Sequence, residues 1–181
     1  MKKLICLILA LVMVASFAAC GGNNTSAGGE TQNQNNSATG DANNAGQAED
    51  GYVFHHNGTA VVMHANAAPI LAALGEPKSS TEEASCAFAG LDKTYFYGSF
   101  YLQTYPQGDK DYVYGVWFAD DSVSTDEGVY VGMAQADVEK AYGADSFNGK
   151  NAYIMTKGKT TLTVIIKDGV VSSIQYDAVV E

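Results

Sequence analysis

The chain contains no arginine. It therefore lacks the planar guanidinium fork that grips phosphate through two parallel hydrogen bonds, and its twenty acidic residues outnumber its ten lysines. Nucleic acid and anionic lipid surfaces are repelled by such a balance, so neither is an expected partner of the protein surface. Catalytic signatures are missing as well. There is no Gly-x-Ser-x-Gly elbow, no His-Glu-x-x-His helix, no phosphate loop and no dinucleotide fingerprint, so neither an enzyme nor a cofactor is expected. Long apolar runs are reduced to one, from Leu4 to Ala19, which is shorter than the ~20 residues a membrane-spanning helix requires and has no charged stop after it.

What surrounds that run is specific. Met1-Lys2-Lys3 supplies a short positive start, Phe17-Ala18-Ala19-Cys20 closes the apolar segment, and Gly21-Gly22-Asn23-Asn24 follows at once. The order of charge, apolar segment, small residues, cysteine and polar tail resembles a bacterial lipoprotein signal peptide with its lipobox, Phe17 standing where that motif usually has Leu. An ordinary secretory signal needs no cysteine directly after the Ala-Ala pair. The resemblance implies cleavage after residue 19, diacylation of Cys20, and a membrane anchor on the extracytoplasmic face of the cell envelope. Loss of Lys2 and Lys3 with the signal leaves eight of the ten lysines and takes the formal net charge from −10 to −12. Contact with the membrane is then expected through the lipid on Cys20 alone. Cys86 becomes the one remaining thiol, unable to form an internal disulfide; in Ala84-Ser85-Cys86-Ala87-Phe88 it reads as a small buried hydrophobe.

Residues 20–51 read as a polar tether. Between Gly21 and Gly51 there is no aromatic or large aliphatic residue, so ordering this stretch would bury too little to offset its entropy. Random-coil scaling gives it a reach of roughly 30 Å. Residues 52–181 hold all eleven tyrosines and the single Trp117, enough for one domain.

Within this domain the sequence echoes itself. Val61-Val62-Met63 followed by Asn66-Ala67-Ala68-Pro69-Ile70-Leu71-Ala72-Ala73-Leu74-Gly75 is matched by Val129-Tyr130-Val131 followed by Ala134-Gln135-Ala136-Asp137-Val138-Glu139-Lys140-Ala141-Tyr142-Gly143. Each block predicts a strand and then a short helix stopped by glycine, with Asn66 as an N-cap and Ala134 as a poorer one. Strands are predicted next over 85–89, 94–105 and 112–119 in the first copy, and over 152–156, 160–167 and 170–177 in the second, where Asp168-Gly169 signals a hairpin. The expected fold is α+β: two strand–helix–three-strand repeats, about 58–124 and 128–177, forming an antiparallel sheet with helices packed on one face.

Gly128-Val129-Tyr130-Val131-Gly132-Met133 with Asp137-Val138 and Ala141-Tyr142-Gly143 resembles the signature of tandem repeats in the β-lactamase-inhibitor-protein-like and small β-barrel-assembly lipoprotein folds. Residues 85–95 also resemble a group of uncharacterised lipoproteins of Gram-positive anaerobes. The resemblance implies a non-enzymatic binding module and carries no specific partner with it.

Metal ligation is weakly indicated. His55 and His56 are adjacent and point to opposite faces of a strand, leaving at most one to join His64. The acidic pairs Asp109/Asp111, Asp120/Asp121 and Asp126/Glu127 sit at strand ends as solvated turns and lack the spacing of a calcium loop. The stronger lead is aromatic. Tyr95, Tyr97, Tyr101, Tyr105, Tyr112, Tyr114 and Trp117 crowd neighbouring strands, and not all can face a core, because each buried hydroxyl needs a partner. Exposed tyrosines on a rigid sheet suit recognition of an envelope or exported protein. The alternative is a glycan or small ligand stacking on the same Tyr/Trp face, which would require a concave pocket rather than a broad surface.

Overall fold

The computed structural model describes residues 51–179. The apolar segment 1–19, Cys20 and the tether up to residue 50 lie outside the described residues.

The chain enters through a hairpin, β1 (Val53–His56) and β2 (Thr59–Val62), turned by Asn57-Gly58. Both turn residues have positive φ, 49° and 80°, the geometry that matches the twist of the flanking strands. Helix α1 (Ala67–Leu74) follows, then β3 (Ser79–Ala84), β4 (Leu91–Phe96), β5 (Phe100–Gln107) and β6 (Lys110–Phe118). Helix α2 (Gln135–Tyr142) and a 3₁₀ turn at Ala144–Ser146 lead to β7 (Ala152–Lys157), β8 (Thr160–Lys167) and β9 (Val170–Ala178). Strands β3 to β9 form one antiparallel sheet in the order β3-β4-β5-β6-β9-β8-β7.

One face of that sheet is the core. Phe54 of β1 lies against Phe100, Phe118 and Tyr176, with ring centroids 5.0, 5.2 and 6.0 Å away. Strand β8 shows the cause of the sidedness: Thr160, Leu162, Val164 and Ile166 are buried while Thr161, Thr163 and Ile165 are half-exposed, the period-2 alternation of a sheet covered on one side.

The expected α+β architecture with helices packed on the sheet is overturned. Among the described residues the fold is mostly β, with nine strands and two eight-residue helices. The helices stop after two turns at Gly75 and Gly143, both with φ near 80°, and bury only Ala67 and Ile70 from α1 and Val138 from α2. The core face is closed largely by the β1–β2 hairpin and by the segments carrying Met63, Ala65, Val123 and Val129. Strand boundaries differ too. Residues 85–89 are a loop, because the strand is β3, whose six residues are all exposed and offer no apolar period. The stretch 94–105 is broken at Gly98 (φ 101°), where the Tyr97 amide donates to the Phe100 carbonyl and separates β4 from β5. Residues 129–131 are not a strand.

The duplication nevertheless shows in the hydrogen bonds. The His64 amide donates to the Val113 carbonyl and the Val113 amide to the Ala65 carbonyl, both at 2.9 Å. In the second half the Gly132 amide donates to Val171 and the Val171 amide to Met133, both at 2.8 Å. Asn66 bridges to Tyr112 as Ala134 bridges to Val170, and β-bulges fall between Gln103/Thr104 and between Ile165/Ile166. In each half, the residues before the short helix are stitched to the last strand of that half. The halves meet where β6 pairs with β9, Trp117 standing opposite Gln175.

Candidate functional site

The second face of the seven-stranded sheet is covered in part by the loop after β3, and the strand register sets out its chemistry row by row. Phe96, Tyr101, Trp117, Gln175, Thr163 and Ile154 lie side by side across β4, β5, β6, β9, β8 and β7. Phe96 and Tyr101 stack with centroids 4.6 Å apart, Tyr101 is 37 % exposed and Ile154 50 % exposed. The next row is Thr94, Gln103, Gly115, Asp177, Thr161 and Thr156.

Below that row the bulge in β6 brings Tyr114 beside Tyr105, with centroids 6.3 Å apart, while Tyr112 pairs across from Tyr105 at 5.9 Å. The loop after β3 curls over them and sets Phe88 4.7 Å from Tyr105. Phe88, Tyr105 and Tyr114 line a cavity of about 260 Å³ with Cys86, Asp92 and Gln103. The Cys86 thiol is exposed, not buried as its apolar neighbours suggest, because in this loop it is Phe88 that packs on the sheet. Tyr105 is only 7 % exposed, and its hydroxyl lies 3.0 Å from His64 Nδ1. Burial holds the His64 imidazole below its ordinary pKa, with the neighbouring Val179 and Lys159 backbones acting partly against it; its Nε2 has no hydrogen-bond partner.

The structure therefore divides the seven aromatic residues read from the sequence. Tyr101 and Trp117 form the upper row, and Tyr105, Tyr112 and Tyr114 the lower cluster. Tyr95 and Tyr97 belong elsewhere: Tyr95 pairs with core residue Leu102, Tyr97 stacks on Phe100 at 5.1 Å, and both line a cavity of about 300 Å³ with Leu71 and Ala72 of α1. Their hydroxyls are pushed up in pKa chiefly by burial. Phe88 and Phe96 join the open face without having been read from the sequence. Phe96 was detectable, since it sits one position from Tyr95 on an alternating strand and so must point the other way.

The three histidines do not converge. His55 Nδ1 pairs with Asp126 at 2.9 Å, His56 stacks near Phe54 and Phe100, and His64 bonds Tyr105. No group of three His, Cys, Asp or Glu side chains able to hold a metal occurs among the described residues.

In comparisons with known proteins, no family model, curated protein or solved structure matches the chain.

Proposed function

We propose that the protein is a membrane-anchored, extracytoplasmic lipoprotein that acts as a non-enzymatic protein-binding module of the cell envelope. The supporting observation is the sheet face on which Phe96, Tyr101 and Trp117 form an aromatic row, with Phe96 stacked on Tyr101 and Tyr101 37 % exposed. Aromatic side chains held on a sheet offer large contact area at low entropic cost, and such residues dominate binding energy at interfaces. The anchor is the lipid on Cys20, and residues 20–51 form the tether that lets the face reach a partner.

A second reading, a glycan stacked on aromatic rings, draws on the 260 Å³ cavity under Phe88, where Tyr105 and Tyr114 adjoin Asp92 and the buried Asp92 Oδ1 has no hydrogen-bond partner. That volume falls just below the usual range for a ligand pocket, about 300–1,000 Å³, which favours the protein-binding reading.

Crosslinking in native envelopes tests the proposal. The chain with Cys20 intact should capture one dominant protein, and Tyr101→Ala should lose it. A Cys20→Ser chain should leave the membrane fraction. Capture that is indifferent to Tyr101→Ala, or a Cys20→Ser chain that stays in the membrane, contradicts the corresponding half of the proposal.

A further inference from the structure

The centre of the open face holds a carboxylate with no positive partner. Asp177 lies on β9 between Gly115 of β6 and Thr161 of β8. Its Oδ1 accepts a hydrogen bond from Gln175 Nε2 at 2.7 Å. Among the described residues the lysine ion pairs join Lys93 to Glu82 and Asp111, and Lys140 to Asp137, and none reaches Asp177. Burial raises the Asp177 pKa, and the Gln175 bond offsets this only in part. A carboxylate drawn out of water without a counter-charge costs the fold free energy.

This carboxylate is half-buried, not sealed off. Gly115, itself buried, packs closely beside it: a Cβ there would lie 3.3 Å from Asp177 Oδ1 and 2.8 Å from the Tyr176 carbonyl oxygen. Tyr114 precedes Gly115 on β6 and Trp117 follows two residues later. A half-buried carboxylate one register step from an indole ring suits a cationic side chain, whose head pairs with the carboxylate while its methylene stem packs on the ring. The charge of the whole chain, −10, attracts a basic surface over longer range.

Resting on the protein-binding reading, we infer that the partner presents a lysine or arginine side chain to Asp177 and packs its stem against Trp117. The partner is thus a protein whose contact surface carries a protruding basic residue.

Panning a random peptide display library on the purified full-length chain tests this. Selected peptides should share a Lys or Arg, and Asp177→Asn should weaken them roughly ten- to hundredfold, the range for a hydrogen bond to a charged group. Asp177→Lys should redirect selection to acidic peptides. Misfolding is excluded by a second measurement: the Asn variant no longer has to ionise a desolvated carboxyl, so it should be more stable than wild type at neutral pH, with the difference fading in acid. Peptides that are lost on Tyr101→Ala but hold their affinity on Asp177→Asn overturn the basic-residue inference and leave the protein-binding reading standing. Peptides insensitive to both changes, or none selected, overturn both and turn attention to a glycan.

Discussion

The two halves of the domain share a scaffold and differ in what they display. Because each half stitches its helix entry to its last strand in the same way, positions can be matched between them: Phe96 with Ile154, Tyr101 with Thr163, and Trp117 with Gln175. These six residues make one row across the sheet, aromatic in the first half and aliphatic or polar in the second. Their inward neighbours do not diverge in this way: Leu102 and Val164, like Ile70 and Val138, are buried apolar residues in both halves. Packing demands the same chemistry of both cores, whereas the open faces are free to differ. The asymmetry of an otherwise duplicated sheet is therefore the feature that places the proposed binding surface in the first half.

The largest expected effect tests the shared scaffold. Ile70→Ala and Val138→Ala remove matched core anchors, and each should cost about 2–4 kcal/mol in chemical denaturation, the usual range for emptying a buried aliphatic site. If one were neutral, the two halves would not be equivalent in their packing. Next comes the divergent face. Tyr101→Thr should cost about 2 kcal/mol or more in partner binding, while Thr163→Ala at the matched position should cost under about 1 kcal/mol. A smaller effect lies at the helix starts. Asn66 Oδ1 accepts from the Ala68 amide at 3.2 Å, whereas Ala134 offers no side-chain cap. Asn66→Ala should lose about 1 kcal/mol, and Ala134→Asn should gain up to about 1 kcal/mol, both read from melting curves.

The smallest expected effect concerns His64, which holds φ 64° where the second half has Gly132 at φ 96°. Burial lowers the His64 pKa in the folded state. The unfolded chain therefore takes up a proton first as pH falls below about 6.5, and stability present above that pH is lost on the way through the lower folded value. His64→Gln should flatten this part of the stability profile against pH, and an unchanged profile would place the effect elsewhere.

Much of the second half was legible in the sequence, because Thr160 to Lys167 alternates cleanly, β9 alternates from Ser173 onward, and Asp168-Gly169 turns the chain with both residues at positive φ. The first half hid more. Strand β3, Ser79–Ala84, is exposed throughout and has no apolar period. Gly98 splits what reads as one long run of alternating residues, and β1 is marked in the sequence only by the His55–His56 pair, since Phe54 is its sole fully buried residue. The helices were correctly located but given too large a role, since their stop signals leave room for only two turns. At the open face, alternation told Tyr101 apart from Leu102 but not where Tyr105 and Tyr114 would meet, because that depends on the bulge in β6 and on a loop folding back from β3. The exposure of Cys86 follows from the same loop.

The central claim is that the first-half side of the open face is the binding surface. A photocrosslinking amino acid placed at position 101, and separately at the matched position 163, would test it most directly in the native envelope. The account predicts one dominant protein adduct from 101 and a much weaker one from 163. Equal adducts from both positions, or none from 101 under conditions that capture other envelope complexes, would contradict it.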